Sequence, residues 1–217
     1  MRGKDELVIH VSANGEIRVE DCEDGIVSFK KVSPSVFMDC IKESIRTELI
    51  SSGMLPHGCF SFASGSGGKK YVCVEFGCDR CDFTYENTVY PNFPLPRLVF
   101  GFGITDTRIT NVNLGVTQRG MLTPKSKMYV YPFSNVSGFS LCLGTNRLPE
   151  INSLHQLSGV MHYIISMPNN NDRYNVRGTK LELEYRHLLE TLKDKEPEYY
   201  YTDVLCESGK TLQNFIR

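Results

Sequence analysis

Residues 128–149 read MYVYPFSNVSGFSLCLGTNRLP, and the reading of this stretch decides the fold. Met128-Tyr129-Val130-Tyr131 is an apolar run long enough for one strand. Pro132 removes a backbone donor, so the strand ends there or lies at an edge. Asn135, Ser137 and Gly138 are turn residues, after which the chain turns apolar and reaches Cys142. Gly144, Thr145 and Asn146 keep the next segment irregular, and Pro149 closes it. Cys142 therefore sits in a loop between a strand and a helix, where a rigid scaffold tends to carry reactive groups.

Downstream, Leu154, Leu157, Val160, Met161 and Ile164 recur at helical spacing, capped by Asn152 or Ser153 and ended before Pro168. A polar loop follows at 169–175. The spacing of Leu181, Tyr185, Leu188, Leu189 and Leu192 predicts a last helix over 179–195, and the tail 199–217 shows no readable pattern. Upstream, 97–102 (RLVFGF) and 106–114 read as strands, as do 57–63 and 70–76, joined by the Ser/Gly turn at 64–68. Residues 77–96 hold turn formers without a clear period and read as a long loop. At the N-terminus, 6–11 and 16–19 flank Asn14-Gly15, a strong hairpin signal, and 25–32 adds a third strand. Ser33-Pro34 caps a helix over 35–51, with Phe37, Cys40, Ile41, Ile45 and Leu49 on its apolar face.

Consecutive strands joined by short turns favour an antiparallel sheet, so the fold class is α+β. The expected organisation is an N-terminal β extension (1–32), a core (33–198) and a tail (199–217). A chain of 217 residues fits one large domain with such an extension. The formal net charge of −1 gives no field favouring nucleic acid or an anionic membrane. No apolar run reaches the ~20 residues of a membrane span, and MRGKDEL lacks a signal-peptide core. The expectation is a cytoplasmic protein with neither a nucleic-acid nor a membrane partner.

Eight cysteines in a reducing compartment read by default as free thiols. Cys40 and Cys73 fall on apolar faces and are expected in the core. Cys73, Cys78 and Cys81, with Cys59 as a fourth, have partial zinc-ligand spacing, but a second C-x2-C pair is missing. SGSGGKK (64–70) lacks the spacing of a phosphate loop and precedes a strand, so it reads as a hairpin linker. The reading calls for no cofactor.

A helix, a meander, then a Pro-Asn turn and a cysteine before a helix resembles the ubiquitin-conjugating-enzyme fold. In that family a His-Pro-Asn triplet precedes the catalytic cysteine. Here Tyr131-Pro132-Phe133-Ser134-Asn135 leads to Cys142, seven positions after Asn135. Tyr131 stands where the histidine would be, two residues are inserted before Asn135, and there is no tryptophan. PLPRLVF (94–100), TPKSKMYVYPFSNV (123–136) and LCLGTNRLP (141–149) are more closely similar to the bacterial branch typified by PRTRC-system protein B. The resemblance covers most of the chain and implies a ubiquitin-conjugating-like fold with an extra N-terminal β-hairpin.

The resemblance implies that Cys142 accepts a small ubiquitin-like protein as a thioester and passes it on, by nucleophilic covalent catalysis. The developing oxyanion needs a donor, a role carried over to Asn135, with Asn146 as the alternative. Asn135 also reads as a simple turn former, and Cys142 as a buried structural thiol. His155 and His162 share one helical face, and either could approach Cys142. Partners implied are a ubiquitin-like protein, a ThiF-like adenylating enzyme and a JAB-type protease of the same operon. The reading in a different class is a non-catalytic module of the same fold that holds such a partner.

Overall fold

The computed structural model describes residues 8–23, 26–45 and 51–216. They divide into two compact units, 1–51 and 52–217.

In the first unit, β1 (Val8–Val11), β2 (Ile17–Glu23) and β3 (Ile26–Val32) form an antiparallel sheet in the order β1-β2-β3. Gly15, at φ +80°, closes the first hairpin by donating its N–H to the Ser12 carbonyl at 2.9 Å. The helix α1 (Pro34–Ile45) starts at a Ser33 cap, whose hydroxyl accepts from the Val36 N–H at 3.3 Å. Phe37 and Ile41, four apart, are its half-buried stripe, whereas Cys40 is exposed. The core placement expected for Cys40 is thus corrected: it falls beside the covered stripe. Leu49, the last predicted apolar position of this helix, lies outside the described residues.

The second unit is α+β and built on antiparallel pairing. Its strands are β4 (Cys59–Ser64), β5 (Lys69–Glu75), β6 (Arg80–Tyr85), β7 (Thr88–Pro94), β8 (Leu98–Thr105), β9 (Arg108–Thr117), β10 (Lys127–Tyr129), β11 (Val136–Ser137), β12 (Ser140–Leu141) and β13 (Glu207–Thr211). The main sheet runs β11-β12-β9-β8-β5-β4, and β10 bridges β9 to β13. Its helices are α2 (Leu157–Ser166), α3 (Tyr185–Leu192) and α4 (Leu212–Ile216). The 64–68 linker joins β4 to β5, as its composition predicted.

Two expectations are corrected, and the tail, which showed no readable pattern, gains a structure. Residues 77–96 are not a loop: β6 and β7 pair as a hairpin, with Thr84 opposite Val89 and Tyr85 opposite Thr88. A bulge between Cys81 and Phe83 and the prolines Pro91 and Pro94 break the alternation that would have revealed β7. The last long helix spans only Tyr185–Leu192. Before it, Thr179 bridges to Leu205, Lys180 N–H donates to the Val204 carbonyl at 2.9 Å, and Glu182 is left-handed at φ +48°. The tail, finally, is structural, supplying a π-turn (Tyr200–Val204), β13 and α4.

The near-continuous apolar run of β8 has its reason in burial on both faces. Leu98, Phe100 and Phe102 point into the main core, while Val99 joins Cys73, Met128, Leu212 and Phe215 in a second cluster under α4. Gly101 makes that second layer possible. A Cβ there would meet the Tyr71 hydroxyl and ring, and Tyr71 is fixed by accepting from Asn113 Nδ2 at 2.9 Å and donating to the Phe215 carbonyl at 3.3 Å. Gly101→Ala is therefore expected to lower stability by about 1–3 kcal/mol, the usual range for overpacking. Adding Tyr71→Phe to Gly101→Ala should recover part of that loss in urea unfolding.

Candidate functional site

The site is assembled from the loop after β10. Pro132, Phe133 and Ser134 are all buried, an unusual state for a loop, and the reason is Phe133. Its ring packs against Phe83 (centroids 5.1 Å apart), Tyr131 (5.4 Å), Phe93 (6.1 Å) and Tyr200 (6.1 Å). One ring thus ties the loop to the β6–β7 hairpin and to the C-terminal π-turn. The buried Ser134 hydroxyl lies within hydrogen-bond reach of Asn169 Oδ1 (3.2 Å) and Tyr185 Oη (3.4 Å).

Asn135 follows in a left-handed conformation, φ +65°, which asparagine tolerates better than most residues. Both its backbone groups are used. Its N–H donates to the Asp172 carbonyl at 2.7 Å, and its carbonyl accepts from the Cys142 N–H at 2.8 Å. The β11–β12 hairpin fills the six residues between, with Gly138 at φ +61° at its tip. Among the described residues the Asn135 carboxamide takes no hydrogen-bond partner. Asn146 differs, because its Nδ2 donates to the Leu143 carbonyl at 3.0 Å, within its own turn.

Cys142 is half-buried and lies on the wall of a cavity of about 110 Å³. The floor is apolar, with Phe83, Leu114, Leu141, Ile164 and Ile165 contributing. The rim is polar: Asn135, Asn146, Asn169, Asn170 and Asp172. Asp172 supplies the single carboxylate of this lining, which has no Lys, Arg or His. Asn135, Asn146 and Cys142, singled out by sequence, thus line one cavity. The two histidines do not join them. His155 Nδ1 lies 2.8 Å from the Ser153 hydroxyl, and His162 packs edge-on against Phe76 with centroids 4.9 Å apart. Tyr131 also lines the cavity, and burial, with the neighbouring Tyr185 adding, pushes its phenol well above its ordinary value. It is a neutral packing group.

Sequence reasoning missed the 168–172 wall of the cavity and what holds it. Asn169 N–H donates to the Thr84 carbonyl, Glu86 N–H donates back to the Asn169 carbonyl, both at 2.8 Å, and Tyr85 Oη donates to Asn171 Oδ1 at 2.9 Å. The β6–β7 hairpin is thus the brace of the site. Apolar residues at Cys81, Phe83 and Tyr85, every second position, were the signal available for it.

The remaining cysteines separate from this site. Cys73 is fully buried, as expected of a core residue. Burial, then the nearby Cys59, pushes its thiol up to about 12, and burial, then Cys78 and Asp82, pushes Cys81 to about 11. Among the described residues no three His, Cys, Asp or Glu side chains are grouped to hold a metal ion, and no helix is long and apolar enough to cross a membrane.

No protein-family model, no curated protein and no solved structure matches this chain.

Because the thiolate is the reacting form, a thiol raised to about 12 holds only about one part in 10⁴ reactive at pH 8. Iodoacetamide at pH 8 should therefore label Cys142 in the folded protein while leaving Cys73 and Cys81 unmodified, as read by peptide mass spectrometry. Labelling of Cys73 at the rate of Cys142 would contradict the burial assigned here.

Proposed function

We propose that this protein is a bacterial ubiquitin-conjugating-like transferase, of the PRTRC protein B type, that carries a small ubiquitin-like protein on Cys142. The observation that carries the reading is the division of labour at Asn135. Its backbone is fixed on both sides while its carboxamide stays unpartnered at the cavity that holds the half-buried Cys142 thiol. The order of elements supports it as well: β4, β5, β8 and β9 are paired neighbours in an antiparallel sheet, followed by the proline-bearing loop, the cysteine and α2.

In this reading Cys142 Sγ attacks the thioester carbonyl on a ThiF-like activating enzyme. A new C–S bond forms and the activating enzyme's thiolate leaves. An acceptor then attacks the same carbonyl carbon and expels the Cys142 thiolate. Each attack places negative charge on the carbonyl oxygen. The Cys142 N–H is already donated to Asn135, so the unpartnered Asn135 Nδ2 is the side-chain donor proposed for that oxygen. The single carboxylate of Asp172 and the absence of cationic lining favour an ammonium or amine acceptor by simple Coulomb attraction.

The test is thioester trapping with the ubiquitin-like protein and adenylating enzyme of its operon, and ATP. A reductant-sensitive adduct is expected, absent in Cys142→Ala and kept in Cys78→Ala. No adduct, with the ubiquitin-like protein still bound, would replace the transferase by a non-catalytic binding module. Asn135→Gly keeps the left-handed backbone and removes only the carboxamide. It should slow acyl transfer about 10²–10³-fold, the usual cost of one oxyanion donor, with the melting temperature little changed. Asp172→Asn should slow discharge to free lysine several-fold and leave discharge to hydroxylamine unaffected.

A further inference from the structure

A second cavity, of about 410 Å³, falls within the range of about 300–1,000 Å³ usual for ligand clefts. Its origin is topological. β10 and β12 both pair with the same edge of β9, β10 opposite Val116 and Thr117 and β12 opposite Asn113. The two diverge from that edge, β10 taking β13 as its partner and β12 taking β11. The trough between these arms is lined by Tyr129, Tyr131, Phe139, Ser208, Arg173 and Lys210.

Charge decides what such a trough can hold. Arg173 has no carboxylate partner among the described residues. Lys210 makes no ion pair either, and its Nζ lies 4.9 Å from the Phe139 ring centroid. The one carboxylate in the lining, Glu207, is neutralised by Lys127 at 2.7 Å. The trough therefore presents two uncompensated cations beside aromatic walls. β11 also forms the end of the main sheet, so the edge away from β12 has no strand partner among the described residues and is open to an added extended segment. Tyr131 lines this trough and the Cys142 cavity alike, so the two adjoin across that side chain.

We propose that the trough binds an extended acidic peptide, with acidic side chains on Arg173 and Lys210 and its C-terminal end passing Tyr131 toward Cys142. The binding claim stands on the trough itself. Its direction, which makes the peptide the C-terminal tail of the acyl donor, rests on the transferase reading. The tail of a suitable donor would carry acidic residues several positions before its terminal carboxyl.

The test uses two fluorescein-labelled peptides with free C-termini, Gly-Ser-Glu-Leu-Glu-Gly-Gly and its Gln-for-Glu counterpart, in fluorescence polarisation with the whole protein. The acidic peptide is expected to bind at least tenfold more tightly. Arg173→Gln with Lys210→Gln should remove that preference without changing the circular-dichroism spectrum. Added salt should weaken the acidic peptide more than the neutral one. Equal affinities of the two peptides, or a preference that survives the double variant, would overturn the proposal. Peptide binding is read without activating enzyme or ATP, so loss of thioester formation and loss of this site are read separately.

Discussion

The architecture of the candidate site depends on one residue whose two backbone groups are both spent. Asn135 donates to Asp172 and accepts from Cys142, so both ends of the β11–β12 hairpin and the distant 168–172 segment are fixed relative to each other at one point. The arrangement requires φ near +65°, which costs most side chains roughly 1–2 kcal/mol. That cost is offset from below. Phe133, two residues earlier, is buried against four aromatic rings, and it stops the loop from relaxing to a less strained path. Segment 168–172 is held in turn by the β6–β7 hairpin. The site is therefore only as rigid as a hairpin that contributes one side chain, Phe83, to the cavity.

The C-terminus completes the same scaffold from the other side. β13 pairs with β10 immediately before the loop, and Val130 N–H donates to the Cys206 carbonyl at 2.9 Å. α4 then lays Leu212 and Phe215 on the outer face of the sheet. That packing needs the missing side chain at Gly101, since Tyr71, reaching from β5 to the Phe215 carbonyl, occupies the space a Cβ would take. A sheet buried on one face would expose Val99 and Cys73; burying both lets β8 be apolar throughout.

How much of this could be read from the residues follows from which interactions are local. The strands flanking 64–68, the Ser33 cap of α1 and the end of α2 before Pro168 rest on turn and cap chemistry that neighbouring residues carry, and each was legible. So was the α+β class. The β6–β7 hairpin was not, because a bulge and two prolines masked a period that tertiary aromatic packing enforces. The start of α3 was misjudged for a similar reason. Leu181 keeps the helical spacing, but Thr179 and Lys180 are drawn into pairing with residues 204 and 205, an interaction invisible at short range. At the site, Cys142, Asn135 and Asn146 were legible as residue types in a loop. What separates Asn135 from Asn146 was not, since it lies in which carboxamide is already bonded.

That distinction bears on how the proposed chemistry would run without an imidazole or a cation in the cavity. A backbone N–H that holds a loop cannot at the same moment serve an oxyanion, and here the Cys142 N–H holds the loop. A neutral carboxamide dipole fills the gap without a cation's cost, because a lysine or arginine in its place would repel an incoming ammonium. Set beside a single carboxylate on the rim, such a site would attract an ammonium, leave its deprotonation to the acceptor's own equilibrium, and reserve its strongest interaction for the charge that appears only as the carbonyl is attacked. The lack of an imidazole among the lining residues is compatible with that chemistry.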